Sequence, residues 1–564
     1  MNPLVYFIPP KSKTVVEFGC GDGSLGAEFL QIQPECRFIG VDIDGVALSA
    51  AEKKLSAAVS GTLETVNLEA NDISKVDCFL YHGRFLGSPG LKAMLQQHMK
   101  LLSEDGQMLF LVDHMGYIRN AVDLFRGAKP SMESALTMNE LMETISASGM
   151  TVVNVQPIYS AADSQWKEDE ATKTFVQAFG EFCRHNGLSG RNDIWARAFF
   201  VRAVRKTYES KMLVQSILGE ALVTARIRIN EPNRFCMTEP GFEARAQRGG
   251  VKLENAETYP NRILIRQRIT MENFREGVEQ IQRVTRNGYL LLYELDDSPS
   301  RWAENHAKTG YLDFVGSHAV QVSTSALADE VRQYNPEVKV FMNHLEYLPE
   351  PREYMEEPSA PVTVFFGALN REEDWTDIMP VINELAQKYG KRLRFRVLAD
   401  QQFFAALQTE HKEFVGSKDY FDGRYVPYNV YIQTLRSADI SLLPLHDTLF
   451  NRAKSDLKFI ESAGHGAAVL ASPTVYRDTV RDGETGFIYH SPGEFRDRFT
   501  LLIENQARRR EMAHAAYEYV KHNRLLSQHY EERLEWYREL LARLPELNRS
   551  LEERLKALAE RFNS

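Results

Sequence analysis

The stretch Val15-Val16-Glu17-Phe18-Gly19-Cys20-Gly21-Asp22-Gly23 constrains this chain more than any other. Residues suited to a buried strand run directly into a turn with glycine at every second position, and residues 25–32 then carry one apolar helical face. A second strand, 37–41, ends in Asp42-Ile43-Asp44. Strand, glycine turn, helix and strand in that order form a parallel unit with a right-handed crossover. Glycine lets the backbone pass close to a ligand with no Cβ in the way, and the free N–H groups of a helix N-terminus attract an anion. An acid closing the second strand can accept hydrogen bonds from two ribose hydroxyls, so a nucleoside-bearing ligand is implied.

Two such ligands fit. Gly21-x-Gly23-x-x-Gly26 matches the dinucleotide fingerprint of nicotinamide enzymes, which expects its first glycine directly after the strand. Glu17-x-Gly19-x-Gly21-x-Gly23 instead sets an acid on the strand itself. That register resembles motif I of the Rossmann-like methyltransferases that use S-adenosylmethionine. The resemblance implies that Glu17 helps hold the cofactor's cationic amino-acid end, directly or through water, that Gly19, Gly21 and Gly23 form its cradle, and that Asp42 grips its ribose. It continues through the domain. After a strand expected at 65–68, Asn71-Asp72 resembles the acidic position that reads the adenine amino group. Residues 77–80 resemble the fourth strand, 101–110 the helix end, glycine turn and fifth strand, and 136–141 with 148–153 the final helix and strand. Methyl transfer to a hydroxyl needs a base near the incoming oxygen. His82, after the fourth strand, and His114, after the fifth, stand where a base can sit, although Tyr81-His82-Gly83-Arg84 departs from the acidic or aromatic-histidine loop common there. The methyl acceptor is not legible.

At 564 residues the chain is too long for one core, and about three or four domains are expected at ~150 residues each. Ala203-Val204-Arg205-Lys206 closes the first region, and a new series of strands is expected at 223–229, 262–268, 288–294, 318–322 and 338–342, with helices at 271–284 and 325–334. A proline-rich hinge at 349–361 precedes a restart at 362–366, which runs into Gly367; further strands are expected at 394–398 and 440–445. Alternation of this kind means parallel sheets, and two such halves about a hinge enclose a cleft.

The second half then carries Asn451-Arg452-Ala453-Lys454-Ser455-Asp456-Leu457-Lys458-Phe459-Ile460-Glu461-Ser462, followed by Gly464-His465-Gly466-Ala467-Ala468-Val469 and later Asp482-Gly483-Glu484-Thr485-Gly486-Phe487. These residues resemble the donor site of glycosyltransferases with two Rossmann halves, the GT-B fold, and are nearest to the retaining group called family 4. Tyr293-Glu294-Leu295-Asp296-Asp297 and residues 322–327 look like parts of the family's first half. Departure of a nucleoside diphosphate builds negative charge on phosphate, so cations and donors must face it. Lys454 and Lys458, expected four apart on one helical face, supply charge, and Ser455 with the helix N-terminus supplies donors. Glu461 is carried over from the family as the ribose-binding carboxylate. Gly367 and Arg371 match part of the family's phosphate loop, and Tyr425, in Tyr425-Val426-Pro427-Tyr428, is expected either on the loop flanking the base or in aromatic packing inside the core. Two departures stand out: the family's earlier acid, eight positions before Glu461, is Ala453 here, and of its Arg-plus-Lys clamp only Arg371 remains.

The expected architecture is therefore α/β: a Rossmann-like methyltransferase domain at 1–207, then a two-Rossmann-half GT-B glycosyltransferase with its acceptor-side half at 215–350 and its nucleotide-sugar half at 360–545, and an amphipathic C-terminal helix at 546–564. The function implied by the two resemblances is bifunctional. A sugar passes from a nucleotide-sugar donor to a glycan or glycoprotein acceptor, such as a bacterial surface polysaccharide or flagellin, and the first domain methylates that glycan or acceptor with S-adenosylmethionine. The competing readings are a glycosyltransferase whose first domain only binds, and a scaffold with two degenerate sites. A net charge of −10 argues against a general nucleic-acid binder. Five scattered cysteines without Cys-x-x-Cys spacing suggest no metal and a reducing cytoplasm, and no apolar run is long enough to span a bilayer. Leucines at 541, 544, 547, 551, 555 and 558 with Phe562 make one stripe, fit either to dock on the body or to pair in a homodimer.

Overall fold

A computed structural model gives the structure of the protein, described here for residues 1–62, 65–69, 72–87, 90–130, 137–163, 168–185, 194–205, 211–219, 222–354, 360–367, 373–416 and 426–563. The chain forms two compact units: residues 1–210 with 237–242, and residues 211–236 with 243–564.

Unit 1 is built on seven strands: β1 Thr14–Phe18, β2 Arg37–Asp42, β3 Ala57–Ser60, β4 Val76–His82, β5 Leu102–Asp113, β6 Thr151–Tyr159 and β7 Ala196–Val204, in the order β3-β2-β1-β4-β5-β7-β6. β1 lies centrally, parallel to β2 and β4, and Val15, Val16 and Phe18 are all buried, as covering both faces of a parallel sheet requires. Two expectations need correction. The segment at 65–68 is not a strand: Val66 N–H bonds the Thr62 carbonyl and Thr62 N–H bonds Thr65 Oγ1, so the backbone turns while Val66 and Leu68 still reach the core. Nor is 151–159 the last strand, because the chain continues through the helix Glu170–His185 and returns as β7, antiparallel between β5 and β6. A buried arginine disguises β7. Arg202 is satisfied inside by the carbonyls of Phe7 at 3.0 Å and Thr238 at 2.7 Å. The Thr238 carbonyl also accepts from the buried Gln107 at 3.1 Å, and Lys11 pairs with Glu239 at 2.9 Å, so residues 237–242 are part of this unit's fabric.

Unit 2 holds two six-stranded sheets. The first half carries β8 Met212–Leu218, β9 Phe242–Arg248, β10 Asn261–Gln267, β11 Leu290–Leu295, β12 Ala319–Val322 and β13 Val338–Val340, ordered β13-β12-β11-β10-β8-β9. The second carries β14 Val362–Gly367, β15 Leu393–Leu398, β16 Lys412–Val415, β17 Ile440–Leu443, β18 Ala468–Ala471 and β19 Phe487–Ile488, ordered β16-β15-β14-β17-β18-β19 and parallel throughout.

The strand expected at 223–229 is helical: Leu222–Ala225, a π turn Arg226–Asn230, then Glu231–Cys236. Alternating arginine and isoleucine imitates a half-exposed strand, but Arg228 is buried, bonded to Glu294, Asn343 and the Phe341 carbonyl. Pro232 falls at the start of the last helix, where its missing N–H costs nothing.

The C-terminal stripe is covered within the chain. Leu551, Leu555 and Leu558 pack on Leu264, Met271, Ile281 and Leu291, and Phe562 stacks on Phe274 with ring centroids 4.2 Å apart. Of the two uses expected for the stripe, docking on the body is the one seen within this chain. Among the described residues no helix is long and apolar enough to cross a membrane.

Candidate functional sites

In unit 1 the turn after β1 takes left-handed backbone at Gly19, Gly21 and Gly23, with φ of 92°, 54° and 75°. A Cβ at Gly19 would lie 2.9 Å from the His82 carbonyl, so both space and torsion demand glycine there. Asp42, buried at the end of β2, ties the turn down: Oδ2 accepts from Gly21 N–H at 3.0 Å, and Oδ1 accepts from Ile43 N–H at 2.7 Å and Asp44 N–H at 3.2 Å. Glu17 is fully buried on β1, with Oε1 2.7 Å from His82 Nε2, while its other oxygen is buried with no hydrogen-bond partner. Beside these acids the Cys20 thiol is pushed up to about 12, by burial first and then by the charges of Glu17, Asp42 and Asp22. The turn is electronegative, suited to a cation.

His114 lies three residues beyond Leu111, the residue paired with His82 on the neighbouring strand. Its Nδ1 faces the Ala196 carbonyl at 2.9 Å, and a carbonyl only accepts, so Nδ1 carries the hydrogen and Nε2 is the basic nitrogen of the neutral ring. Asp72 is exposed with φ of 58°, and its carbonyl accepts from Arg37. Asn71 lies outside the described residues. The structure thus joins Glu17 to His82 and Asp42 to the glycine turn. The Glu17–His82 contact spans 65 positions and had no signal in the sequence.

In unit 2, Lys458 and Glu461 lie on the helix Leu457–Gly464. Lys454 does not, contrary to the expected shared face: the preceding helix, Leu449–Arg452, ends before it. The break is fixed by Asp456, buried and held through both oxygens by Arg524. Ala453, where the family's earlier acid would stand, packs in the first half's core with Tyr293, Val322 and Leu327, so no acid at that position could face a cleft.

Glu461 is 2% exposed; its Oε2 accepts from Tyr431 Oη at 2.6 Å and from Lys458 Nζ at 3.3 Å. The cavity beside it, about 20 Å³, is lined by Arg226, Glu231, His344, Glu346, Tyr428 and His465. That is room for about one water molecule. Beside this cavity the Arg226 guanidinium stacks 3.9 Å over Tyr428. Glu231 has its carboxyl raised to about 7, because burial and the neighbouring Glu346 outweigh Arg226, whose guanidinium is 2.6 Å away.

At the ends of β10 and β11, Arg268, whose role had no signal in the sequence, meets Asp296 and Asp297 of the segment that resembles the family's first half. Arg268 has left-handed backbone, φ 54°, and its guanidinium reaches Asp297 at 2.9 Å, Thr224 Oγ1 at 3.0 Å and Asp296 at 3.2 Å. Burial lifts the Asp296 carboxyl to about 6, against the pull of Arg268. Asp297 also faces Lys454 Nζ at 3.9 Å. Non-glycine residues with positive φ are often found at functional sites. Gly367 closes β14, where a Cβ would strike the Phe365 ring. Arg371 and Tyr425 lie outside the described residues.

Comparison with known families agrees with this division. Residues 16–108 match a family described as a methyltransferase domain, and residues 382–539 one described as glycosyl transferase-like. The chain therefore joins a methyltransferase domain to a glycosyltransferase domain, both built on Rossmann-like parallel sheets. No curated protein matched. Among solved structures, S. aureus TarM is 12% identical with a TM-score of 0.36 over 49% of this chain, which spans only 55% of TarM's length. A SAM-dependent methyltransferase from Archaeoglobus fulgidus is 15% identical, TM-score 0.27, over 36% of this chain and 88% of its own. Anabaena HepE, solved with UDP and glucose, is 14% identical, TM-score 0.39, over 59% of this chain and 100% of its own.

Proposed function

We propose that the protein is a bifunctional enzyme that transfers a sugar from a nucleotide-sugar donor to a glycan or protein acceptor in unit 2 and methylates that glycan or acceptor in unit 1. The observation that carries the unit 1 reading is the buried, unpartnered oxygen of Glu17 beside three left-handed glycines and Asp42. A buried carboxylate oxygen without a donor is costly unless a donor arrives, and the ammonium end of S-adenosylmethionine is one. Glu17, the glycine turn and Asp42 would hold that cofactor, which supplies an electrophilic methyl group when bound. His82 and His114 are the candidates to take the proton of an acceptor hydroxyl. Because His82 is engaged by Glu17, a second reading has support too: a unit 1 that binds the cofactor without transferring from it.

In unit 2, Lys454, Ser455 and Lys458 are offered to the departing diphosphate and Glu461 to the ribose, with retention of configuration following from the family resemblance. Scattered free cysteines are compatible with a reducing cytoplasm.

A thermal-shift panel of UDP, GDP, dTDP and S-adenosylhomocysteine tests both halves. A ligand at a hundred times its Kd stabilises by about 2.7 kcal/mol. Asp42→Ala should abolish only the S-adenosylhomocysteine shift, and Glu461→Ala only the nucleotide shift. A full panel without any shift refutes the proposal, and cofactor binding without methyl transfer to any glycan selects the second reading.

A further inference from the structure

Three consecutive residues ahead of the helix Leu457–Gly464 are held by the first half of unit 2. The Ala453 carbonyl accepts from Thr324 Oγ1 at 3.0 Å, Lys454 faces Asp297 at 3.9 Å, and Ser455 meets Asn343. The last contact has a direction. Asn343 is buried; its Oδ1 accepts from Arg228 at 2.9 Å and its Nδ2 donates to Ser455 Oγ at 2.8 Å. A guanidinium only donates, which fixes the amide with oxygen toward Arg228 and nitrogen toward Ser455. An amide nitrogen also only donates, so Ser455 Oγ is the acceptor here and its own hydrogen must be given elsewhere. Upstream, Arg228 is locked by Glu294 at 2.7 Å. The Asn343 carbonyl accepts from Arg524 at 2.9 Å, and Arg524 in turn grips Asp456. The relay therefore runs one way, from a buried ion pair out to a half-buried serine.

We propose that Asn343 is a positioning residue for the donor's diphosphate: by filling the acceptor side of Ser455 Oγ, it turns the hydroxyl hydrogen toward a phosphate oxygen. This rests on reading Lys454, Ser455 and Lys458 as the diphosphate-binding group. Phosphate oxygens at neutral pH accept and do not donate, so a serine with its polarity preset binds them without first breaking a competing bond. The exchange Asn343→Asp separates this role from packing. Its shape is unchanged and Arg228 keeps a partner, but the group facing Ser455 becomes an acceptor and captures the hydrogen. A packing role survives that exchange, whereas a directional one does not.

The test is calorimetric titration of UDP into the full-length protein, for the wild type, Asn343→Asp, Ser455→Ala and the double variant, with melting curves recorded for each. Each single variant should weaken UDP about tenfold, the worth of one hydrogen bond to a charged group, at a nearly unchanged midpoint. The double variant should be little weaker than Asn343→Asp alone, because the relay ends at Ser455. Wild-type affinity in Asn343→Asp, or two effects that multiply in full, overturns the inference. If Asn343→Asp does not fold, Asn343→Ala is titrated instead: it should weaken UDP several-fold, and unchanged binding again overturns the inference. A wild type that binds none of UDP, GDP or dTDP refutes the donor-site reading itself, and this inference falls with it.

Discussion

Replacing Glu231 by glutamine should flatten the pH dependence of unit 2. Glu231 is 4% exposed, faces Arg226 at 2.6 Å, and has its carboxyl raised from 4.5 to about 7 by burial and by Glu346. The folded protein therefore holds a proton that the unfolded chain has already released. Stability from this group is fully present below about pH 4.5 and is lost as pH rises through about 7. Each tenfold difference in proton affinity is worth about 1.4 kcal/mol, so the loss comes to about 3 kcal/mol. Glutamine cannot ionise, so Glu231→Gln should gain on the wild type by about that amount between pH 5 and pH 8. The comparison concerns the change across pH: where Glu231 is protonated, glutamine offers Arg226 much the same neutral acceptor, and the pull of Arg226 on the ionised form is already contained in the raised value. Differential scanning calorimetry at half-unit intervals, following the transition that nucleoside diphosphates shift, reads the difference directly. Glu346→Gln should act in the same direction by removing the like charge beside Glu231. Parallel curves for wild type and Glu231→Gln would refute the reasoning, for they would mean that Glu231 is ionised in the folded protein well below neutrality.

Other outcomes follow from single residues. His98, stacked on Phe79 with ring centroids 4.8 Å apart, is held down to about 4 by burial. Its contribution is complete above about pH 6.5 and lost as pH falls toward 4, so the unit 1 melting midpoint should drop over that range, and near-ultraviolet circular dichroism should show a shallower drop in His98→Gln. In Gly26→Ala the new Cβ would lie 2.5 Å from Leu55 and 2.6 Å from Phe38, so unit 1 should lose about 1–3 kcal/mol in urea melts while the nucleotide response is kept. Leu551→Ala, at a position 2% exposed under the C-terminal helix, should cost about 2–5 kcal/mol and quicken proteolysis near residue 544; an unchanged rate would mean the helix does not depend on that contact.

The legible parts of this chain are those that local chemistry decides. The turn at 19–23 can be read because alternate glycines permit the positive φ found there, and the apolar runs at 14–18, 290–295 and 468–471 can be read because strands covered on both faces need them. What escapes is decided by partners far along the chain. The Arg-Ile alternation at 226–229 looks like a strand until Arg228 meets Glu294, 66 positions away. Lys454 and Lys458 look like neighbours on one helix until Asp456 is claimed by Arg524, 68 positions on. The same holds for the candidate sites: the motif residues announce themselves, whereas Asn343, Arg268 and Tyr431 are ordinary letters that acquire a role only where they are brought to rest.

Because of the short excursion at 237–242, the two units are not successive segments of the chain. The polypeptide passes between them at 210, 236 and 242, so no single cut frees either one. A fragment ending at Ser210 would leave the buried Gln107 amide nitrogen without the Thr238 carbonyl it donates to and would take one of the carbonyls from Arg202, and a fragment starting at Lys211 would carry Thr238 and Glu239 without the Gln107, Arg202 and Lys11 side chains they meet. Exchanging either unit for another therefore means rebuilding three junctions, at 210, 236 and 242, where a chain of successive segments would need one.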